Sequence, residues 1–154
     1  MSNPCLFCQI AAGDEPAAVV YQDDQALAFM DLFPLRPGHV LIIPRAHSVR
    51  VHEMAVEDRV HLIELANRIA AAMRRLDPTC DLNWIINDGK IADQHVPHVH
   101  LHLIPRHRGD HRSLGTKMMS RMLGFFGRPA SRKKLAERAR QIAEEMGKGM
   151  GEVA

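Results

Sequence analysis

A chain of 154 residues and 17.3 kDa is long enough for one compact domain with a real core and leaves little room for a second. With 46% hydrophobic and 25% charged residues, the composition excludes a disordered, collagenous or coiled-coil chain. The net charge of +2 conceals an asymmetry, because residues 106–140 carry +9 and the rest of the chain −7. No run approaches the roughly 18 apolar residues of a membrane span, and Met1 to Cys5 has neither a basic nor an apolar leader segment, so no membrane association and a cytoplasmic location are expected.

The three cysteines do not make a disulfide framework. Cys5 and Cys8 stand as Cys-x-x-Cys, a spacing that suits metal or redox chemistry, whereas Cys80, next to Asp81-Leu82-Asn83-Trp84, reads as a small buried hydrophobe. After the pair, Ala18 to Tyr21 and Ala26 to Met30 form two short predicted strands around the polar turn Gln22-Asp23-Asp24-Gln25. The loop from Pro34 to Gly38 leads to a third strand, Val40 to Ile43, stopped by Pro44. From about Glu57 to Leu76, Leu62, Ile63, Ala66, Ile69, Ala70, Met73 and Leu76 recur at helical spacing. Glu57-Asp58 open this helix and Arg74-Arg75 close it.

Leu82 to Ile86 is a fourth predicted strand, and the strict alternation from His98 to Ile104 a fifth, ended by Pro105. Hairpins plus one long helix point to an antiparallel α+β domain. Beyond it, Met118, Met119, Met122 and Leu123 suit a short helix, and Leu135, Ala139, Ile142 and Met146 a second amphipathic helix before a glycine-rich tail. The expected division is a first unit over residues 1–108 and a basic, helical extension over 109–154, packed on or near it.

Ten histidines is a high count, and six lie between positions 95 and 111. In a strand, His98, His100 and His102 share one face while Val99, Leu101 and Leu103 take the other. At roughly 6.5–7 Å between same-face neighbours, the outer two stand about 13 Å apart, so all three cannot close on one metal although an adjacent pair can. Neutral imidazole is a nucleophile near pH 7, and its protonated form donates to anions. A central histidine flanked by two others therefore suits attack on phosphorus.

His98-Val99-His100-Leu101-His102-Leu103-Ile104 resembles the His-φ-His-φ-His-φ-φ signature of the histidine triad (HIT) family of nucleotide-binding hydrolases and transferases. Cys5 to Ile10, Ala28 to Asp31, Pro37 to Pro44 and Ile86 to Gly89 follow in the family's order, so the resemblance covers residues 4–107. It implies a five-stranded antiparallel sheet with one long helix, a homodimer joining two such sheets, and a purine nucleotide substrate with adenine the favoured base. By the same resemblance, His100 is the nucleophile of a covalent nucleotidyl-histidine intermediate and His102 its phosphate-contacting neighbour or the leaving-group acid, with His98 completing the catalytic triad. Asp31 is the ribose-binding carboxylate. Phe7, Ile10, Phe29 and Leu32 line the base pocket, while His39, Asn87 and Gln94 position the triad and the α-phosphate.

A Cys-x-x-Cys is a zinc half-site, a redox pair or a coincidence, and zinc needs two further ligands. Branches of the family with this N-terminal pair, like the related galactose-1-phosphate uridylyltransferases, bind structural zinc, which here implies Cys5, Cys8, His47 and His98. The chain departs from the family around Gln94, where Asp93 and His95 replace the usual glycine and small hydroxyl residue. Asp93 opposes a phosphate unless it points away, whereas His95 can donate to one.

The expected activity is hydrolysis or transfer at the α-phosphate of nucleoside phosphoramidates, acyl-adenylates or dinucleoside polyphosphates, releasing a nucleoside monophosphate such as AMP. The alternative is a nucleotide-binding adaptor whose +9 segment grips an acidic partner or nucleic acid, less favoured because Phe125-Phe126 is the only aromatic element in it. A third role assists the first, with Arg106, Arg108 and Arg112 reaching the distal phosphates of a long substrate.

Overall fold

The structure is a computed structural model that describes residues 5–125 and 127–149. Phe126 and most of the glycine-rich tail lie outside the described residues. A short helix α1 (Leu6–Ala12) precedes strands β1 (Val19–Gln22), β2 (Ala26–Met30) and β3 (Val40–Pro44). The long helix α2 (Val56–Leu76) leads to β4 (Asp81–Ile86) and β5 (Leu101–Arg106), and α3 (His111–Met122) and α4 (Arg132–Gly149) follow. The five strands make one antiparallel sheet in the order β1-β2-β3-β5-β4.

The sheet is covered on both faces. Val40 and Ile42 of β3 and Leu101 and Leu103 of β5 face the larger core, which Leu62, Leu65, Ala66, Ile69 and Met73 of α2 complete. Leu135, Ala139, Ile142 and Met146 of α4 enter that same core, at the spacing that identifies the helix in the sequence. On the opposite face, Leu41 and Ile43 meet Phe7 of α1, Leu27 and Phe29, while Leu35, Ile104 and Leu114 of α3 form a third cluster. Burial on both faces explains why β2 and β3 are continuously apolar. Ile142 is fully buried, so Ile142→Ala is expected to cost about 2–5 kcal/mol in denaturant unfolding. A loss well below about 1 kcal/mol would mean that α4 rests on the core without being part of it.

Four features differ from expectation. The ladder of β5 begins at Leu101, so His98 and His100 precede the strand, although the alternation of faces is kept: Val99 joins the α2 core, and the histidines take the other side. β5 also continues through Pro105, which pairs with Leu82. Pairing with β3 ends at Leu103, and a proline is tolerated once one side of a strand has no ladder to satisfy. Helix α1 stands where the sequence shows only the cysteine pair; seven residues are too few for a clear period, and Gly13, left-handed at φ 87°, ends it. Helix α3 starts at His111, well before the methionines that suggest it, because its anchor is polar: the Asp110 carboxylate accepts a fork from Arg106 at 2.7–3.2 Å and the His107 N–H at 3.0 Å. Those charges hold Asp110 well below the usual carboxylate range, Arg106 contributing most.

Candidate active site and metal centre

The three histidines share one edge of the sheet, but each ring has a different partner. His98 is fully buried, and its Nε2 lies 2.8 Å from the Pro44 carbonyl, which can only accept. Nε2 therefore carries the proton, and Nδ1 turns its lone pair toward the cysteines. His100 places Nδ1 2.7 Å from the His98 carbonyl, so the same logic leaves the Nε2 lone pair unprotonated and outward. Burial, the largest cause, pushes the His100 pKa down, which keeps that lone pair available at neutral pH.

His102 is oriented through His39. The Leu35 backbone N–H donates to His39 Nδ1 at 3.2 Å, leaving His39 Nε2–H to donate to His102 Nδ1 at 2.9 Å. Asp31 Oδ2 lies 3.2 Å from the same His39 Nδ1, but a hydrogen bond there would need a second proton on a ring that burial keeps neutral. The Leu35 N–H cannot turn away, so it fills the Nδ1 lone pair, and the carboxylate takes its hydrogen bonds from the Phe33 N–H at Oδ1 (2.9 Å) and from Arg121 at Oδ2 (3.1 Å). The last proton of this relay sits on His102 Nε2, a buried atom with no hydrogen-bond partner among the described residues. A stranded buried donor is costly unless something enters to accept it. The site thus presents a lone pair on His100 beside an N–H on His102, with ring centroids 4.8 Å apart.

Two cavities meet at these rings. The larger, about 460 Å³, is lined by Phe7, Ile10, Phe29, Asp31 and Leu32 together with Ala17, Ala18 and Leu41. All five residues that the sequence assigns to base and ribose are therefore on one wall. The smaller, about 330 Å³, lies on the other side of His100 and His102, between Leu35, Ile85, Asn87, Ile91, Asp93 and Met118. His95 borders both. Phe7 stands edge-on to His100 with centroids 5.1 Å apart, tying α1 to the nucleophile as well as to the larger cavity.

Some sequence-assigned residues support these walls from behind. His39 is fully buried beneath His102, and Gln94 spends its amide on the backbone, accepting from Gly89 N–H and donating to the Val49 carbonyl, both at 2.9 Å. Gly89, at φ 119°, adopts a backbone conformation that strains any residue with a Cβ. Asn87 donates to the Asp93 carbonyl at 3.3 Å. Asp93 itself is left-handed at φ 67°, a backbone conformation that favours glycine, and its carboxylate lies 3.1 Å from His95 Nε2. Among the described residues, Arg106, Arg108 and Arg112 line neither cavity; Arg106 is taken up by Asp110 and Asn83. Arg121, which sequence reasoning missed, lines both.

Cys5, Cys8, His47 and His98 come together on the far side of His98, their ligand atoms all within 4.8 Å of one another. The two Nδ1 atoms are 3.3 Å apart, Cys8 Sγ is 3.3 Å from His47 Nδ1, and each sulfur is 3.5 Å from His98 Nδ1. A tetrahedral ion with Zn–S near 2.3 Å and Zn–N near 2.0 Å has N···N edges of about 3.3 Å and S···N edges of about 3.5 Å. Four of the six edges of that tetrahedron match, and the His98 Nε2 bond to Pro44 is the outer hydrogen bond that a metal-binding imidazole requires. Burial and the neighbouring Cys5 raise the Cys8 pKa, an effect that a bound cation opposes by favouring the thiolate.

Burial also lowers His39 to about 3 and His102 to about 2, well under the 6.5 of an exposed ring. The unfolded chain therefore binds protons at these rings below pH 6.5 while the folded chain does not, and stability falls as pH drops from 6.5 toward 3. Each ring contributes up to about 1.4 kcal/mol per pH unit. Urea midpoints are expected to drop between pH 7 and 4.5, above the range where the lowered carboxylates Asp23 and Asp77 protonate. A flat midpoint would show that the rings are not buried neutral.

The HIT domain family model matches residues 12–109, most of the chain and all three triad histidines. The protein belongs to the histidine triad family. Among its HIT relatives, an uncharacterized HIT-like protein of Methanocaldococcus jannaschii is 39% identical over 69% of this chain and 81% of its own. The adenosine 5'-monophosphoramidase of Schizosaccharomyces pombe is 36% identical over 66% of this chain and 74% of its own. A Zn-bound histidine triad family protein from Mycobacterium smegmatis superposes with a TM-score of 0.77 at 31% identity, covering 96% of both chains. That superposition extends well past residue 109, so α3 and α4 have counterparts within the HIT family.

Proposed function

We propose that this HIT protein cleaves nucleotides at the α-phosphorus through a covalent nucleotidyl-His100 intermediate, releasing a nucleoside monophosphate, with AMP the first candidate. The observation that carries this reading is the fixed pair of ring states at the cavity junction: a lone pair on His100 Nε2 and an unpartnered N–H on His102 Nε2. Phe7, Ile10, Phe29 and Leu32 hold the base, and Asp31 accepts the ribose hydroxyls. His100 Nε2 attacks phosphorus while the His102 N–H binds a non-bridging oxygen, whose charge grows in the transition state. The bond to the leaving nitrogen or oxygen breaks into the smaller cavity, where His95 offers a proton. Water then cleaves the phosphorus–Nε2 bond. His98 acts through its carbonyl, which orients His100, while His39, Asn87 and Gln94 hold His102 and the loop.

The metal set is assigned to structural zinc, supported by the tetrahedral spacing of Cys5, Cys8, His47 and His98 and by the Zn-bound M. smegmatis relative. Its contribution is to fix the His98 ring; with four protein ligands there is no open position for chemistry. The β4 edge, with Trp84 exposed, is the side on which a second copy would extend the sheet into the family's dimer.

The test is AMP release from adenosine 5'-phosphoramidate and from diadenosine polyphosphates. Release from the first identifies a phosphoramidase like the S. pombe relative; release only from the second identifies a polyphosphate hydrolase. Nucleotide binding without release from either would return the protein to the adaptor reading.

A further inference from the structure

Helix α3 delivers a cation to the junction of the two cavities. Leu114, Met118 and Arg121 recur at helical spacing on one stripe: Leu114 packs with Leu35 and Ile104, Met118 lines the smaller cavity, and Arg121 lines both. The start of α3 is pinned by Asp110, so Arg121 is presented by a helix fixed at its start and two turns before the cation. Its side chain is 14% exposed and donates to Asp31 Oδ2 at 3.1 Å.

Charge shows why that position matters. The acidic side chains on the walls are Asp31 and Glu15 in the larger cavity and Asp93 in the smaller. Among the described residues, Arg132 lines only the larger cavity, and Arg121 is the one cation on both. An anionic phosphorus placed between His100 and His102 would otherwise meet a negative field at a partly dry site, where Coulomb terms are strong. A guanidinium has five N–H donors, and its planar fork suits phosphate.

We propose that Arg121 is a phosphate-binding residue of this site, held on Asp31 in the free chain and donating to the non-bridging oxygens of the α-phosphate when nucleotide binds. The assignment rests on the nucleotide reading above and adds to it a residue beyond the segment matched by the family model. It also makes α3 part of the substrate site, in place of Arg106, Arg108 and Arg112.

Affinities of the full chain for AMP and for adenosine, measured side by side by calorimetry, separate a phosphate contact from a structural one. Arg121→Ala is expected to weaken AMP by about tenfold or more, the loss of a charge-assisted hydrogen bond, while adenosine stays within about twofold or tightens because Asp31 is released. Arg121→Lys recovers part of the AMP loss, and Lys117→Ala, which removes an exposed charge from the same helix, changes neither ligand. Equal weakening of AMP and adenosine in Arg121→Ala would reduce Arg121 to a counterion that holds Asp31 in place. An AMP loss reproduced by Lys117→Ala would reduce it to one charge among many. Either result overturns the proposal while leaving the nucleotide reading standing. Wild-type protein that binds neither AMP nor adenosine overturns both.

Discussion

His100→Ala is expected to lower AMP release by a factor on the order of a thousand or more while AMP affinity changes only a few-fold. The asymmetry follows from where the ring sits. In the proposed reading base and ribose are held by Phe7, Ile10, Phe29, Leu32 and Asp31 of the larger cavity, whose backbones belong to α1, β2 and the segment that follows β2. The ring's own role is the Nε2 lone pair, fixed in direction by the 2.7 Å bond from Nδ1 to the His98 carbonyl. A transition-state interaction removed in this way lowers kcat with little change in ground-state binding. Rapid acid-free quenching of the wild type during turnover should trap one nucleotidyl group per active chain, and none in the variant. Turnover within about tenfold of wild type would remove His100 as nucleophile and leave direct attack by water, oriented by the His102 N–H, as the chemistry of the site.

Much of this arrangement is legible in the residues themselves. The alternation at Val99, Leu101 and Leu103 sorts the histidines onto one face even though the strand begins only at Leu101, because the change of side persists through the extended segment before it. The spacing of Leu135, Ala139, Ile142 and Met146 locates α4 for the same reason: burial selects the period. What escapes is held by polar or very local forces. Helix α3 is anchored by Asp110, a residue with no periodic signature, and Arg121 enters the site only because that anchor sets the direction of the helix. The stripe Leu114, Met118, Arg121 carries the signal in principle, but a single arginine at the end of an apolar stripe in a segment of +9 charge does not stand out. The +9 segment is in turn less of a surface patch than its sum suggests, since Arg106, Arg121 and Arg140 are paired with Asp110, Asp31 and the Glu137 and Glu144 carboxylates.

Cys8→Ser is expected to empty the metal site and lower the melting temperature by about 10 °C or more, with a smaller effect on the rate per folded molecule. The four donors join α1, the segment after β3 and the start of the triad. A metal bound by residues 5, 8, 47 and 98 binds the folded chain far better than the unfolded one, so its binding free energy is added to stability. At 2–4 °C per kcal/mol for a chain of this size, the expected drop corresponds to roughly 3–5 kcal/mol. The rate is less sensitive because the His98 backbone that orients His100 is also held by its own neighbours: the Val99 N–H donates to the Ser48 carbonyl at 2.8 Å, and the His98 Nε2–H to Pro44. Purified protein should contain one zinc per chain, and a chelator should reproduce the thermal shift of Cys8→Ser. Metal-free protein with the wild-type melting temperature would remove the brace. A Cys8→Ser variant that keeps its melting temperature but loses turnover would move the cysteine pair from structure to chemistry.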